Sequence, residues 1–97
     1  MNKKISEIEF IELKYLNLFG FKYIVRNEIG SVEVFKNIPH RNFGHGYATW
    51  VERAYPMTPD EIKNRKKVCL SNYDFIKFED EPLLIEDILK QYEIVSS

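Results

Sequence analysis

The sequence predicts an α+β fold, a small antiparallel sheet of three to four strands with an N-terminal helix, a short middle helix and a C-terminal helix. Three observations carry that expectation. Ser6-Glu7-Ile8-Glu9 has the Ser-x-x-Glu form of a capping box and stands just before apolar residues spaced by three and four. Residues on either side of Asn27-Glu28-Ile29-Gly30 alternate with a period of two. Leu84, Ile85, Ile88, Leu89 and Tyr92 then form a second helical stripe.

The first helix is expected over residues 7–19, with Ile8, Ile11, Tyr15, Leu18 and Phe19 as its core face, Glu12 and Lys14 toward water, and Gly20 as its left-handed stop. Phe21 to Arg26 and Ser31 to Lys36 form a hairpin, with Asn27 or Gly30 supplying the positive φ of the turn. Residues 37–46 contain Pro39, Gly44 and Gly46 and read as loop. Tyr47 to Val51 is aromatic and β-branched, and is expected to join the hairpin as a third strand of a meander. Thr58-Pro59-Asp60-Glu61 is a second capping signature and opens a helix from Pro59 to about Lys66. Val68-Cys69-Leu70 is too short to classify, and Phe75 to Phe78 alternates as another strand. Asp80-Glu81-Pro82 opens the last helix, Leu83 to Tyr92, with Asp80 and Glu81 at its cap and Lys90 near its end. No repeat or low-complexity segment interrupts this order, so residues 1–97 read as one α+β domain.

The length and the large apolar residues fit that picture. The 97 residues include seven Phe, six Tyr and one Trp, and a hydrophobic share of 44% opposes disorder. The net charge of −1 supplies neither the basic field of a general nucleic-acid binder nor the uniform negative charge of a DNA mimic. The lysines of Met1-Asn2-Lys3-Lys4 precede no apolar run, and no stretch has the ~18 apolar residues of a membrane span. A single cysteine closes no intramolecular disulfide, so the expected compartment is a reducing cytoplasm. Direct membrane contact is not expected.

His40 and His45 have zinc-site spacing, and Cys69 is the one thiol able to join them, with an acid such as Asp60 or Asp74, or water, as fourth ligand. The competing reading is exposed loop histidines and a buried structural cysteine. Cys69 beside a histidine is also the start of a nucleophilic site, but no phosphate loop, nucleophile elbow or His-Glu-x-x-His pair accompanies it, and the chain reads as non-enzymatic.

Charge is separated along the chain, +4 over residues 1–73 and −5 over residues 74–97. Lys63, Arg65, Lys66 and Lys67 form the densest basic run, and Arg53, Arg41, Tyr55 and Trp50 lie near it in sequence. Such a set suits phosphate contact with stacked bases, or an acidic patch on a protein; the bland alternative is a solvated helix face. Glu79, Glu86 and Asp87 form the acidic counterpart and suit an arginine-rich cleft, alongside the capping role of their neighbours. Free nucleic acid is the lesser partner, because the whole-chain charge gives no long-range attraction.

Two stretches carry a family resemblance. Phe21-Lys22-Tyr23-Ile24-Val25-Arg26-Asn27-Glu28-Ile29-Gly30-Ser31-Val32-Glu33-Val34-Phe35 resembles the Tyr-Ile-x-Arg strand–turn–strand of small proteins encoded by phages and prophages of Gram-positive bacteria. Phe75-Ile76-Lys77-Phe78-Glu79-Asp80-Glu81-Pro82 is similar to their closing aromatic-Glu-Asp-Glu-Pro box, and Tyr47 and Trp50 match in kind. Residues 51–74 depart from the pattern as an insertion. The resemblance implies a phage accessory protein in the cytoplasm of an infected or lysogenic host. By analogy of size and missing catalytic motifs it implies an anti-CRISPR protein, a non-enzymatic inhibitor of a type II CRISPR effector nuclease. The alternative is a small nucleic-acid-associated regulator of phage replication or transcription.

Overall fold

The computed structural model describes residues 4–43, 48–52, 63–68 and 72–95. In chain order the elements are β1 (Lys4–Ser6), α1 (Glu7–Leu18), β2 (Tyr23–Arg26), β3 (Val32–Phe35), β4 (His40–Asn42), β5 (Thr49–Val51), β6 (Arg65–Val68), β7 (Leu83–Leu84), α2 (Ile85–Gln91) and β8 (Glu93–Val95). The fold is α+β. A four-stranded antiparallel sheet runs β6-β3-β2-β7, and two smaller sheets pair β4 with β5 and β1 with β8. The β1–β8 pair is parallel and joins the chain just before α1 to the chain just after α2.

Local chemistry accounts for the first elements. The Ser6 hydroxyl accepts the Glu9 N–H at 3.1 Å, and the Glu9 carboxylate accepts the Ser6 N–H at 2.9 Å, a complete capping box that contributes about 1 kcal/mol. At the other end Phe21 N–H reaches the Leu16 carbonyl and Gly20 N–H the Asn17 carbonyl, the paired bonds of a Schellman stop. Gly20 takes φ +91° to make them. The hairpin turn closes through Asn27, whose N–H donates to the Ser31 carbonyl and whose Oδ1 accepts the Ser31 N–H. Gly30, at φ +103°, supplies the left-handed residue.

Both faces of the hairpin are covered, which the alternation alone does not announce. On one face Ile24, Val32, Val34 and Val68 pack with Leu13 and Leu16 of α1 and Ile85 and Ile88 of α2. On the other, Val25 and Phe35 pack with Trp50, and Tyr23 lies against them. Each large buried side chain is worth roughly 1.5–3 kcal/mol of removed apolar surface, so both layers matter to stability.

Five expectations need correction. The core face of α1 is Leu13 and Leu16 with Phe10 beside them, whereas Ile8, Ile11, Tyr15, Leu18 and Phe19 are all more than half exposed. The helix EIEFIELKYLNL is apolar on more than one side, and the capping box turns the Glu9 side inward. Strand β5 pairs with β4, not with the hairpin, because β3 already lies between β2 and β6. Residues 59–62 of the expected middle helix lie outside the described residues, and from Arg65 the chain is strand, since the sheet offers β3 an antiparallel partner.

Phe75 to Phe78 is not a strand but a run of turns. Its backbone groups are met by side chains: Arg26 donates to the carbonyls of Ile76 at 2.7 Å, of Tyr73 at 2.9 Å and of Asn72, and Arg41 to those of Phe78 and Asp80 at 3.0 Å each. The last helix begins at Ile85, with Leu84 as its N-cap and no side-chain cap. Asp80 instead accepts the Lys77 N–H at 2.9 Å, and Glu81 pairs with Arg41 at 3.5 Å.

Candidate protein-docking surface

On α1 the spacing of Ile8, Ile11, Tyr15, Leu18 and Phe19 places five large apolar side chains in one stripe, and that stripe faces solvent. The Tyr15 and Phe19 rings stack at 4.8 Å with a 46° tilt, which keeps the lower end of the stripe together. Contiguous exposed apolar surface of this kind marks an interaction site more often than chance scatter does.

Beside the stripe, between α1 and β6, lies a cleft of about 420 Å³ lined by Ile11, Glu12, Tyr15, Leu16, Lys66, Lys67 and Val68; the Glu12 carboxylate is taken up by the Tyr73 hydroxyl. A second cleft of about 290 Å³ meets it at Lys67 and Val68 and is bounded by Arg26, Gly30, Ser31 and Asn72. Strand β6 is thus the common wall. Among the described residues it is also the last strand of its sheet.

The basic run divides by environment. Arg65 donates through Nε and Nη2 to one oxygen of Glu33, at 2.9 and 2.5 Å, and its guanidinium lies 4.7 Å from the centre of the Phe35 ring. Glu33 is buried, so this pair belongs to the second face of the sheet and is structural. Lys63, Lys66 and Lys67 are exposed and have no ion pair among the described residues.

The other expected site residues are dispersed. Trp50 is only 2% exposed and donates its indole N–H to the Arg26 carbonyl at 2.8 Å, with the Arg41 guanidinium 4.7 Å from its ring, so it is a core residue and not a stacking platform. Arg53, His45 and Cys69 lie outside the described residues. His40 is exposed on β4, and among the described residues no three His, Cys, Asp or Glu side chains gather closely enough to hold a metal. Glu79, Glu86 and Asp87 are exposed, and Glu86 is paired with Lys90 at 3.2 Å.

Sequence reasoning found the stripe residues but buried them. The available signal was the excess: seven of the twelve residues of α1 are apolar, more than one face requires. The role of Lys66 and Lys67 at a sheet edge was hidden by the helix signature that precedes them.

Tyr73, beneath this surface, is a perturbed titratable group. Burial lifts its phenol well above the ordinary tyrosine range, and the Glu12 carboxylate that accepts its hydroxyl at 2.5 Å, together with the charge of Glu9, pushes the same way. Its hydroxyl holds Glu12, which borders the stripe on the side of the cleft.

No helix among the described residues is long and apolar enough to cross a membrane. No protein-family model matches the chain, and searches of curated proteins and of solved structures find no match.

Proposed function

We propose that this protein is a non-catalytic binding protein that docks on another protein through the stripe of α1 and the neighbouring edge of β6, and that its target is a type II CRISPR effector nuclease, which it inhibits. The observation that carries the docking surface is the solvent-facing row Ile8, Ile11, Tyr15, Leu18 and Phe19 beside Lys66 and Lys67, which make no ion pair among the described residues. Apolar contact supplies affinity, and the lysines orient the protein toward an acidic surface. The likeness of the hairpin and the Phe75 to Pro82 box to phage proteins supports a phage accessory role, and the target class follows from it by analogy of size and missing catalytic motifs. Of the two stacking candidates of the nucleic-acid alternative, Trp50 is in the core and Tyr55 lies outside the described residues.

The test is target-DNA cleavage by a purified type II nuclease with its guide, the protein being added before guide, before DNA or after DNA. Inhibition is expected, and the effective order names the blocked step. No inhibition at large excess across several such nucleases would overturn the target class, and salt-sensitive binding to bare DNA or RNA would favour the regulator.

A further inference from the structure

We infer that β6 accepts an acidic, extended segment of a partner protein as an added antiparallel or parallel strand, seating one of its apolar side chains in the cleft between α1 and β6. This rests on the protein-docking reading above and names the chemistry of what docks.

The hydrogen-bond alternation of the sheet shows which backbone groups of β6 face the edge where no strand lies among the described residues. Asn27 N–H donates to the Ser31 carbonyl, so Glu33 and Phe35 spend their backbone bonds on β2. Val32 and Val34 therefore turn theirs toward β6. Lys36 N–H donating to the Asn64 carbonyl continues the same ladder, in which Lys66 and Val68 face Val34 and Val32. Lys67, between them, turns its N–H and carbonyl away from β3. A strand edge with such groups is a template for another strand.

Side chains then select the occupant. Lys66 and Val68 lie on the α1 side of the sheet with Val32 and Val34, where the 420 Å³ cleft offers Ile11, Tyr15 and Leu16 to an apolar group. Lys66 and Lys67 make no ion pair among the described residues, since the nearby carboxylates, Glu33 across the strand and Glu12 in the cleft, are taken by Arg65 and by Tyr73; the abutting cleft holds Arg26, whose guanidinium is met by carbonyls. Alternating acidic and apolar residues in an extended segment answer both features at once. A nucleic-acid strand answers neither the outward N–H and C=O pair nor the apolar cleft.

The probe is a blocked synthetic peptide of alternating glutamate and valine or leucine, titrated into the ¹⁵N-labelled full chain, with the lysine-for-glutamate peptide as control. Saturable shifts and slowed exchange at the Lys67 amide are expected, with about tenfold weaker binding for the lysine peptide and for Lys66→Glu with Lys67→Glu. Ile11→Asp should weaken it similarly while leaving the folded spectrum intact. Equal binding of the lysine peptide, no saturable change, or shifts without added protection at Lys67 would overturn the inference. So would a Lys67 amide already protected in the free chain, by a segment of its own or by a concentration-dependent second copy. Nuclease inhibition that survives peptide failure would leave the docking reading standing and remove strand addition alone.

Discussion

Glu9 holds Tyr73 across 64 residues of sequence: its Oε1 accepts the Ser6 N–H at 2.9 Å while its Oε2 accepts the Tyr73 N–H at 3.0 Å. One carboxylate thus caps α1 and secures the start of the run of turns that replaces an expected strand. Glu9 is itself buried, so neither oxygen has water as an easy substitute. Glu9→Gln leaves one oxygen for two N–H donors and sets an amide N–H₂ against one of them. A loss of about 1–3 kcal/mol in urea unfolding is expected. A loss under about 0.5 kcal/mol would show that the Tyr73 N–H finds another acceptor.

Tyr73 extends the same network, donating its hydroxyl to Glu12 at 2.5 Å. Its phenol ionises at about its ordinary value of 10.0 in the unfolded chain and well above that when folded. The folded state therefore keeps a proton that the unfolded state gives up, and this contribution to stability is complete below about pH 10 and falls as pH rises beyond it. Tyr73→Phe should cost about 0.5–1.5 kcal/mol at neutral pH and flatten the alkaline decline. An unchanged slope between pH 9 and 11.5 in the variant would refute the assignment.

Trp50 is the chain's one tryptophan and therefore its own reporter. Buried against Val25 and Phe35, it should emit at short wavelength and resist quenching by iodide. Trp50→Ala empties most of the second core layer and should cost about 3–5 kcal/mol, whereas Trp50→Phe should cost less, the main loss being the bond to the Arg26 carbonyl. Emission typical of exposed indole would contradict the placement.

Local rules were legible where one residue or one short motif decides the geometry. The capping box at Ser6, the stop at Gly20 and the hairpin turn at Gly30 all lie where residue chemistry places them. What the sequence left hidden depends on partners far along the chain. Phe75 to Phe78 alternates like a strand, but Arg26, Arg41 and Glu9 satisfy the backbone around it, and no pattern within residues 75–78 announces donors from residues 26 and 41. The candidate site fared the same way. The stripe of α1 has ideal core spacing, and only the competition from Phe10, Leu13 and Leu16 for the same sheet face leaves it outside.

The basic run gives the sharpest separation of folding from binding. Reversing all four of Lys63, Arg65, Lys66 and Lys67 would confuse the two, because Arg65 lies over Phe35 and donates to buried Glu33. Arg65→Glu would leave two carboxylates facing each other beneath the sheet, and a loss of about 3–5 kcal/mol is expected in thermal or urea unfolding. Lys66→Glu with Lys67→Glu changes exposed positions, and because Lys67 stands across from Glu33, which Arg65 already neutralises, it should cost no more than about 1 kcal/mol of stability. The same pair should nonetheless weaken nuclease inhibition about tenfold, a loss of roughly 1.4 kcal/mol in binding. Wild-type inhibition by the double-lysine variant would move the contact away from β6, and Arg65→Glu with unchanged stability would show that the Glu33 pair holds nothing together.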